Sequence, residues 1–282
     1  MGILSSTGAY GLPARDRFFN TSDGVRLHYL EAGPVSGHVI VLVPGWTMPA
    51  WIFDRQINDL ATQYHVIGFD PRSQGASDIA LSGHNHVRRG QDIAELLARL
   101  GPDRVLLVGW SLGVLDTLAY LHQAGDSRVA GLVLIDNSIG EEPPPTAPKN
   151  RLPGPKLTWK QDMTAFVRGM FARPQPQPWL DRLTEACLKT PEPAARALLA
   201  YPVPRSFWKD AVYSTNKPVL YIVRPKFAGQ AGNLAAHHPS AETIVLRDIG
   251  HALFVDDAPG FNRRLRDYIS RRVWPSTQAS AG

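Results

Sequence analysis

The stretch Val105-Leu-Leu-Val-Gly109-Trp110-Ser111-Leu112-Gly113 constrains this chain more than any other. A short apolar run of strand character ends in a G-x-S-x-G box and passes at once into a helix-periodic segment, Val114 to His122. A serine on such a strand-to-helix turn has its hydroxyl exposed above the sheet, and the flanking glycines are demanded because side chains there would collide with the neighbouring strand and helix. The helix start also directs unpaired N–H groups and the positive end of its dipole at any anion that forms beside Ser111. The box alone is a common combination of small residues. The strand before it and the helix behind it make Ser111 a candidate nucleophile.

The segments on either side repeat this alternation. Residues 16 to 32 read as a β-hairpin about a Ser22-Asp23-Gly24 turn, an antiparallel start. Residues 38–43, 64–69, 129–135, 217–223 and 242–246 are apolar runs of the kind that parallel strands covered on both faces require. Helical periodicity predicts helices over about 48–62, 87–100, 230–237 and 259–273. This order predicts an α/β protein with a mostly parallel, doubly wound, eight-stranded sheet and right-handed crossovers. Ligands in such sheets bind beyond the C-terminal ends of the strands, where Trp46, Ser111 and Asp136 all fall.

From Gly140 the chain turns to Pro, Gln and aromatic residues, with breakers at Pro143 to Pro145, Pro153, Pro155, Pro174, Pro176, Pro178, Pro191, Pro193, Pro202 and Pro204. Short helices between them, about 158–172, 178–189, 192–200 and 205–213, predict a helical lid. The expected organisation is therefore a core over 16–139, a lid over 140–213 and a second part of the core over 214–273. Phe166, Met170, Trp179 and Trp208 of the lid, with Trp110 of the box, are candidate pocket residues. Ordinary packing is the competing reading for each of them.

Composition narrows the functional classes. A chain of 282 residues, 44% hydrophobic, can bury a sizeable core. It has no apolar run near the roughly 20 residues of a spanning helix, and residues 1–15 lack a charged-then-apolar signal pattern, so a cytoplasmic protein is expected. The single Cys187 rules out an internal disulfide and a Cys-rich zinc site; a small buried hydrophobe is its expected role. The net charge of +5 comes from scattered basic residues, densest from Arg263 to Arg272, which reads as a solvated helix face, so no nucleic-acid partner is expected. Neither a metal-ligand cluster nor a phosphate-cradling glycine pattern appears. The expected partner is a small apolar molecule, with no cofactor and no metal.

The ordered set strand-Pro44-Gly45-Trp46, strand-Asp70-Pro-Arg72-Ser-Gln-Gly75, strand-Gly109-Trp-Ser111-Leu-Gly113 and Gly250-His251-Ala-Leu-Phe254 resembles the α/β-hydrolase family over about residues 16–273. It is most similar to the esterase, lactonase and cofactor-free haloperoxidase branch, whose members carry a helical cap between the sixth and seventh strands. The resemblance implies Ser111 as nucleophile and His251 as its general base. The chemistry agrees: a serine hydroxyl is a poor nucleophile until an imidazole takes its proton, and histidine titrates near neutrality. Among nine histidines, His251 alone follows a strand end inside Gly-His with an apolar tail to hold its loop. The backbone N–H groups of Leu112 and Trp46 match the family's two oxyanion donors. Asp70, Arg72, Ser77 and Asp78 match a loop that is mostly structural.

Two departures stand out. Pro44-Gly45 replaces the family's usual His-Gly and removes a side chain that commonly pins the oxyanion loop. After the seventh strand, where most relatives carry the acid, the chain reads Val223-Arg224-Pro225-Lys226-Phe227-Ala228-Gly229-Gln230, with two cations and no carboxylate. A positive charge beside His251 opposes imidazolium formation, so that loop cannot orient the histidine. Asp136 is the expected substitute, because its strand neighbours that of Ser111 and a subset of relatives, including some dehalogenases, places the acid there. A carboxylate that merely caps the next turn with Asn137 and Ser138 is the competing reading; Glu141 or Glu142 could also reach His251, whereas Asp248 lies too close along the chain. An aspartate nucleophile would have pointed to a dehalogenase or epoxide hydrolase, which Ser111 argues against. The expected activity is hydrolysis of a small or medium apolar ester or lactone. A lyase, C–C bond hydrolase or acyltransferase on the same site, and a non-enzymatic binding module, remain the alternatives.

Overall fold

The computed structural model describes residues 14–142 and 157–275. The proline-rich start of the insertion and the expected tail beyond Pro275 lie outside them. The chain opens with β1 (Arg15–Asn20) and β2 (Arg26–Ala32), then β3 (Val39–Val43), α1 (Asp54–Leu60), β4 (His65–Asp70), α2 (His86–Arg99), β5 (Val105–Trp110), α3 (Leu112–Ala124) and β6 (Val129–Ile135). Four helices follow: α4 (Trp159–Gly169), α5 (Gln177–Leu188), α6 (Glu192–Ala197) and α7 (Ser206–Ser214). β7 (Val219–Val223), α8 (Ala228–His237), β8 (Ala241–Val245), the short turn α9 (Leu253–Asp256) and α10 (Ala258–Tyr268) complete the chain.

The eight strands form one sheet in the order β1-β2-β4-β3-β5-β6-β7-β8. β1 and β2 pair antiparallel, as do β2 and β4, and every other pair is parallel. β3, β4 and β5 are buried at every residue, which is why they read as continuous apolar runs and not as alternating ones. Each face of the sheet carries its own apolar layer. One layer joins α2, α3, α7 and α8 through Leu96, Leu118, Trp208 and Leu234. The other joins α1, α4, α5 and α10 through Ile57, Val167, Leu183 and Leu265. The segment between β6 and β7 is thus anchored in both layers, across the C-terminal edge of the sheet.

Helix starts follow local chemistry. Asn85 accepts from the Arg88 N–H to cap α2, and Thr158 with Gln161 forms a reciprocal capping box on α4. The helix expected over 48–62 is shorter. A 3-10 turn, Ala50–Phe53, precedes α1, because Pro49 is extended and the Met48 N–H is engaged by the Gly45 carbonyl. The long C-terminal helix is likewise divided, with Asp257 accepting from the Gly260 N–H to start α10.

Candidate active site

Three strand ends bring the polar side chains together. β5 hands the chain to α3 through Ser111, which is held at φ 54° and ψ −123°. Few side-chain-bearing residues adopt that backbone, and here it is locked by the Ser111 N–H donating to the Ile135 carbonyl (2.9 Å) and by Asn137 Nδ2 donating to the Ser111 carbonyl (2.8 Å). The glycine two residues on is obligatory, since a Cβ on Gly113 would lie 2.3 Å from the Val43 carbonyl oxygen. At the end of β6, Asp136 also sits at positive φ (49°), and its N–H donates to the Ile222 carbonyl of β7 (2.9 Å). His251 follows β8. The Trp110 indole donates to its carbonyl (2.9 Å), and the buried Asp256 carboxylate accepts from the N–H groups of Gly250 (2.7 Å) and Ala172 (2.8 Å).

With the loops so fixed, His251 Nε2 lies 2.8 Å from Ser111 Oγ and His251 Nδ1 lies 2.7 Å from Asp136 Oδ2. Arg224 opposes charge on His251, as expected, and it also holds Asp136. Its N–H donates to Asp136 Oδ1 (2.9 Å) and its guanidinium Nε to Oδ2 (2.6 Å). Burial alone would raise the Asp136 carboxyl; the hydrogen bond and charge of His251, then those of Arg224, hold it below its ordinary value. For His251, burial lowers the imidazole, the Asp136 bond and charge raise it, and the charges of Arg224 and Lys226 lower it again, leaving it below the usual 6.5. An imidazole that is neutral at pH 7, with one nitrogen on a hydroxyl and the other on an ionised carboxylate, can accept the hydroxyl's proton and be stabilised once charged.

The loop after β3 lies against this centre, close enough that a Cβ on Gly45 would come within 2.9 Å of Ser111 Cβ. It carries the Trp46 N–H, and Leu112 begins α3 on the other side of Ser111. What holds the loop, with no histidine at position 44, is Gln74. Its Nε2 donates to the carbonyls of Gly45 (3.0 Å) and Met48 (2.8 Å), while its Oε1 accepts from Arg89 (2.7 Å). The sequence singled out the loop around Gln74 as structural, but no local signal marked Gln74, Arg89 or Asp256 individually.

The other candidates part company. Glu141 is buried and engaged by Tyr213 and by Asn233 (2.8 Å), and Glu142 pairs with Arg205 (3.0 Å), so neither meets His251. Trp208 is buried against α3, its indole donating to the Leu115 carbonyl, and it walls a cavity beside Asn137. Phe166 stands edge-on to Trp46, whose own indole donates to the Ala195 carbonyl of α6 (2.7 Å), and Trp179 packs on Trp51 and Phe171. Trp110 and Met170 correct the expectation for the pocket. Trp110 is 1% exposed beneath His251 and packs on Phe53 and Phe254, and Met170 is 2% exposed among core side chains. Asp70 has a structural part: it accepts from the N–H groups of Ala50 (2.5 Å) and Ala76 (2.9 Å), tying β4 to the turn before α1. Among the described residues, no cluster of three or more His, Cys, Asp or Glu could hold a metal ion, and no helix is long and apolar enough to cross a membrane.

Comparison with known proteins agrees with this architecture. A sequence profile of the alpha/beta hydrolase family matches residues 40–264. The soluble epoxide hydrolase of Corynebacterium sp. (strain C12) is 31% identical over 136 residues, 42% of this chain and 47% of that protein. The non-heme chloroperoxidase of Streptomyces lividans is 34% identical over 116 residues, 41% of this chain and 42% of its own. The match spans less than half the length of either relative. Among solved structures, the esterase RhEst1 from Rhodococcus sp. ECU1013 superposes with a TM-score of 0.76 over 91% of this chain and 99% of its own at 23% identity, a likeness of fold. With the profile covering most of the sequence and the sheet order in place, this chain belongs to the alpha/beta hydrolase family.

Proposed function

We propose that the chain is a serine hydrolase that cleaves small or medium, apolar carboxylic esters or lactones through an acyl-enzyme on Ser111. The observation that carries this reading is the unbroken relay from Ser111 Oγ through His251 to Asp136, at 2.8 and 2.7 Å. Ser111 Oγ attacks the carbonyl carbon as its proton passes to His251 Nε2, and Asp136 fixes the imidazole tautomer and stabilises the imidazolium. The N–H groups of Trp46 and Leu112 receive the oxyanion; losing one such donor typically costs ~10²–10³ in kcat. His251 then protonates the departing alkoxide oxygen, and a water deprotonated by the same imidazole attacks the acyl carbon and frees Ser111. The helices α4 to α7 act as a lid, with Trp46 and Phe166 meeting where it closes on the core. The esterase likeness in fold supports an acyl substrate, and Ser111 supports acyl transfer over the epoxide chemistry that one relative's name describes.

A fluorophosphonate probe tests the reading. It is expected to label the wild type at Ser111 and to leave Ser111→Ala untouched, with turnover of p-nitrophenyl esters lost in step. An unlabelled wild type would point to a binding module, and a labelled enzyme inert to every ester would point to lyase chemistry. Asp136→Asn, which preserves shape, is expected to lower kcat by about 10³–10⁴ through the wrong histidine tautomer; an unchanged rate removes Asp136 from the mechanism.

A further inference from the structure

A cavity of 580 Å³ lies between the end of β6, the turn after β7 and α7, with Asn137, the residue after Asp136, in its wall. Asn137 reaches the Ser111 carbonyl, and Tyr201, Trp208 and Phe227 supply aromatic faces. Two cations also line it, and they differ in what they face. Arg205 is committed to Glu142 (3.0 Å), the Ser138 hydroxyl (2.8 Å) and the Glu141 carbonyl. Lys226 makes no ion pair among the described residues, and the rest of the chain contains no Asp or Glu to supply one. The nearest carboxylate in electrostatic terms, Asp136, is already shared by Arg224 and His251. Lys226 rests against the Phe227 ring (4.5 Å) with its charge felt at His251. Lys226 is exposed to solvent, so its ammonium stands open to an anion that enters the cavity.

We infer that this cavity takes an anionic substrate group: the ester or lactone carries one free carboxylate, which pairs with Lys226 while the aromatic walls hold the apolar body between it and the reacting carbonyl. This rests on ester cleavage at Ser111. One unpaired ammonium matches one negative charge, and the aromatic walls match a hydrocarbon spacer. The pairing makes the turn after β7, which carries cations where relatives carry the acid, a specificity element.

The test compares kcat/KM for p-nitrophenyl monoesters of adipate, pimelate and suberate with that for p-nitrophenyl hexanoate, heptanoate and octanoate. The ratio within one protein is the readout, because any effect of Lys226 on His251 is common to both series and cancels. At low ionic strength the wild type is expected to favour the acid-bearing series at one spacer length. Lys226→Met is expected to lower that ratio by about tenfold, the size of 1.4 kcal/mol of ion pairing, Lys226→Arg to retain most of it, and added salt to erode it in the wild type. A ratio unaltered by Lys226→Met at all three lengths overturns the inference and leaves ester hydrolysis standing. Failure of the wild type to turn over either series overturns both.

Discussion

In the proposed mechanism His251 carries the proton, so its surroundings decide the pH dependence. Burial lowers its pKa first, Asp136 raises it, and Arg224 and Lys226 lower it, for a net value under 6.5. Because the free base is the active form in that mechanism, the acid limb of kcat/KM is expected to have its midpoint below 6.5. Removing a cation that lowers the imidazole moves its pKa upward, so Lys226→Met is expected to shift that limb to higher pH. A pH-rate profile on a neutral ester checks this, and a limb that stays put or moves down would show that the Lys226 charge does not reach the ring. The stability sign runs the same way for His251: the unfolded chain binds the proton more readily, so its contribution to folding falls as the pH drops through 6.5. Ser111 and Asp136 add a second residue-scale feature. Both side-chain-bearing residues adopt positive φ, at about 1–3 kcal/mol each, and persist because neighbouring strand carbonyls hold their N–H groups.

Among elements, the loop after β3 depends on the loop after β4. The missing histidine at position 44 is offset from the opposite side, where Gln74 grips two carbonyls of the loop after β3, the proposed oxyanion loop, and is itself gripped by Arg89 of α2, which pairs with Asp116 of α3 (2.8 Å). All three side chains are buried. Gln74→Met keeps the volume and strands buried carbonyls and a guanidinium, at about 1–3 kcal/mol for each unsatisfied group. It is expected to lower kcat by about tenfold or more, with KM changed less, and to weaken binding of a boronic acid that mimics the tetrahedral intermediate. If stability falls while boronate affinity and kcat hold, Gln74 supports the fold and not the oxyanion loop. Asp256 plays the corresponding part for the histidine loop, joining Gly250 to the end of α4 through Ala172.

Across the whole molecule, polar tethers tie the antiparallel edge of the sheet to its helical layer. Arg72, fully buried, donates to Asp92 of α2 (2.7 Å), to Asp23 in the β1–β2 turn (3.0 Å) and to the Ser82 carbonyl (3.0 Å). Removing one partner of a buried pair leaves an uncompensated charge, at about 3–5 kcal/mol. Arg72→Met is therefore expected to lower the Tm by on the order of 10 °C, followed by far-UV circular dichroism. A change within the error of the melt would mean that Asp92 protonates or that Arg88 (2.8 Å) takes over its charge. The insertion has a comparable reach, since its helices enter both apolar layers of the sheet.

Local pattern determined the strands, the helices and their alternation, because a strand buried on both faces must be apolar throughout and a helix on a sheet must be apolar at helical spacing. It also singled out Ser111 and His251, each beside glycines at a strand end. Asp136 could be reached only through a family resemblance and the absence of a carboxylate after β7, with Glu141 and Glu142 still in play. Which carboxylate meets the imidazole was decided by tertiary structure, since Asp136 and His251 are 115 positions apart and meet only because β6, β7 and β8 lie side by side. The same holds for Arg224, whose charge opposes imidazolium formation as expected but whose hydrogen bonds to Asp136 no local pattern showed, and for Gln74. Trp110 and Met170 show the converse: whether an apolar side chain lines a cavity or fills the core depends on what packs opposite it, and a one-dimensional pattern carries no record of that neighbour.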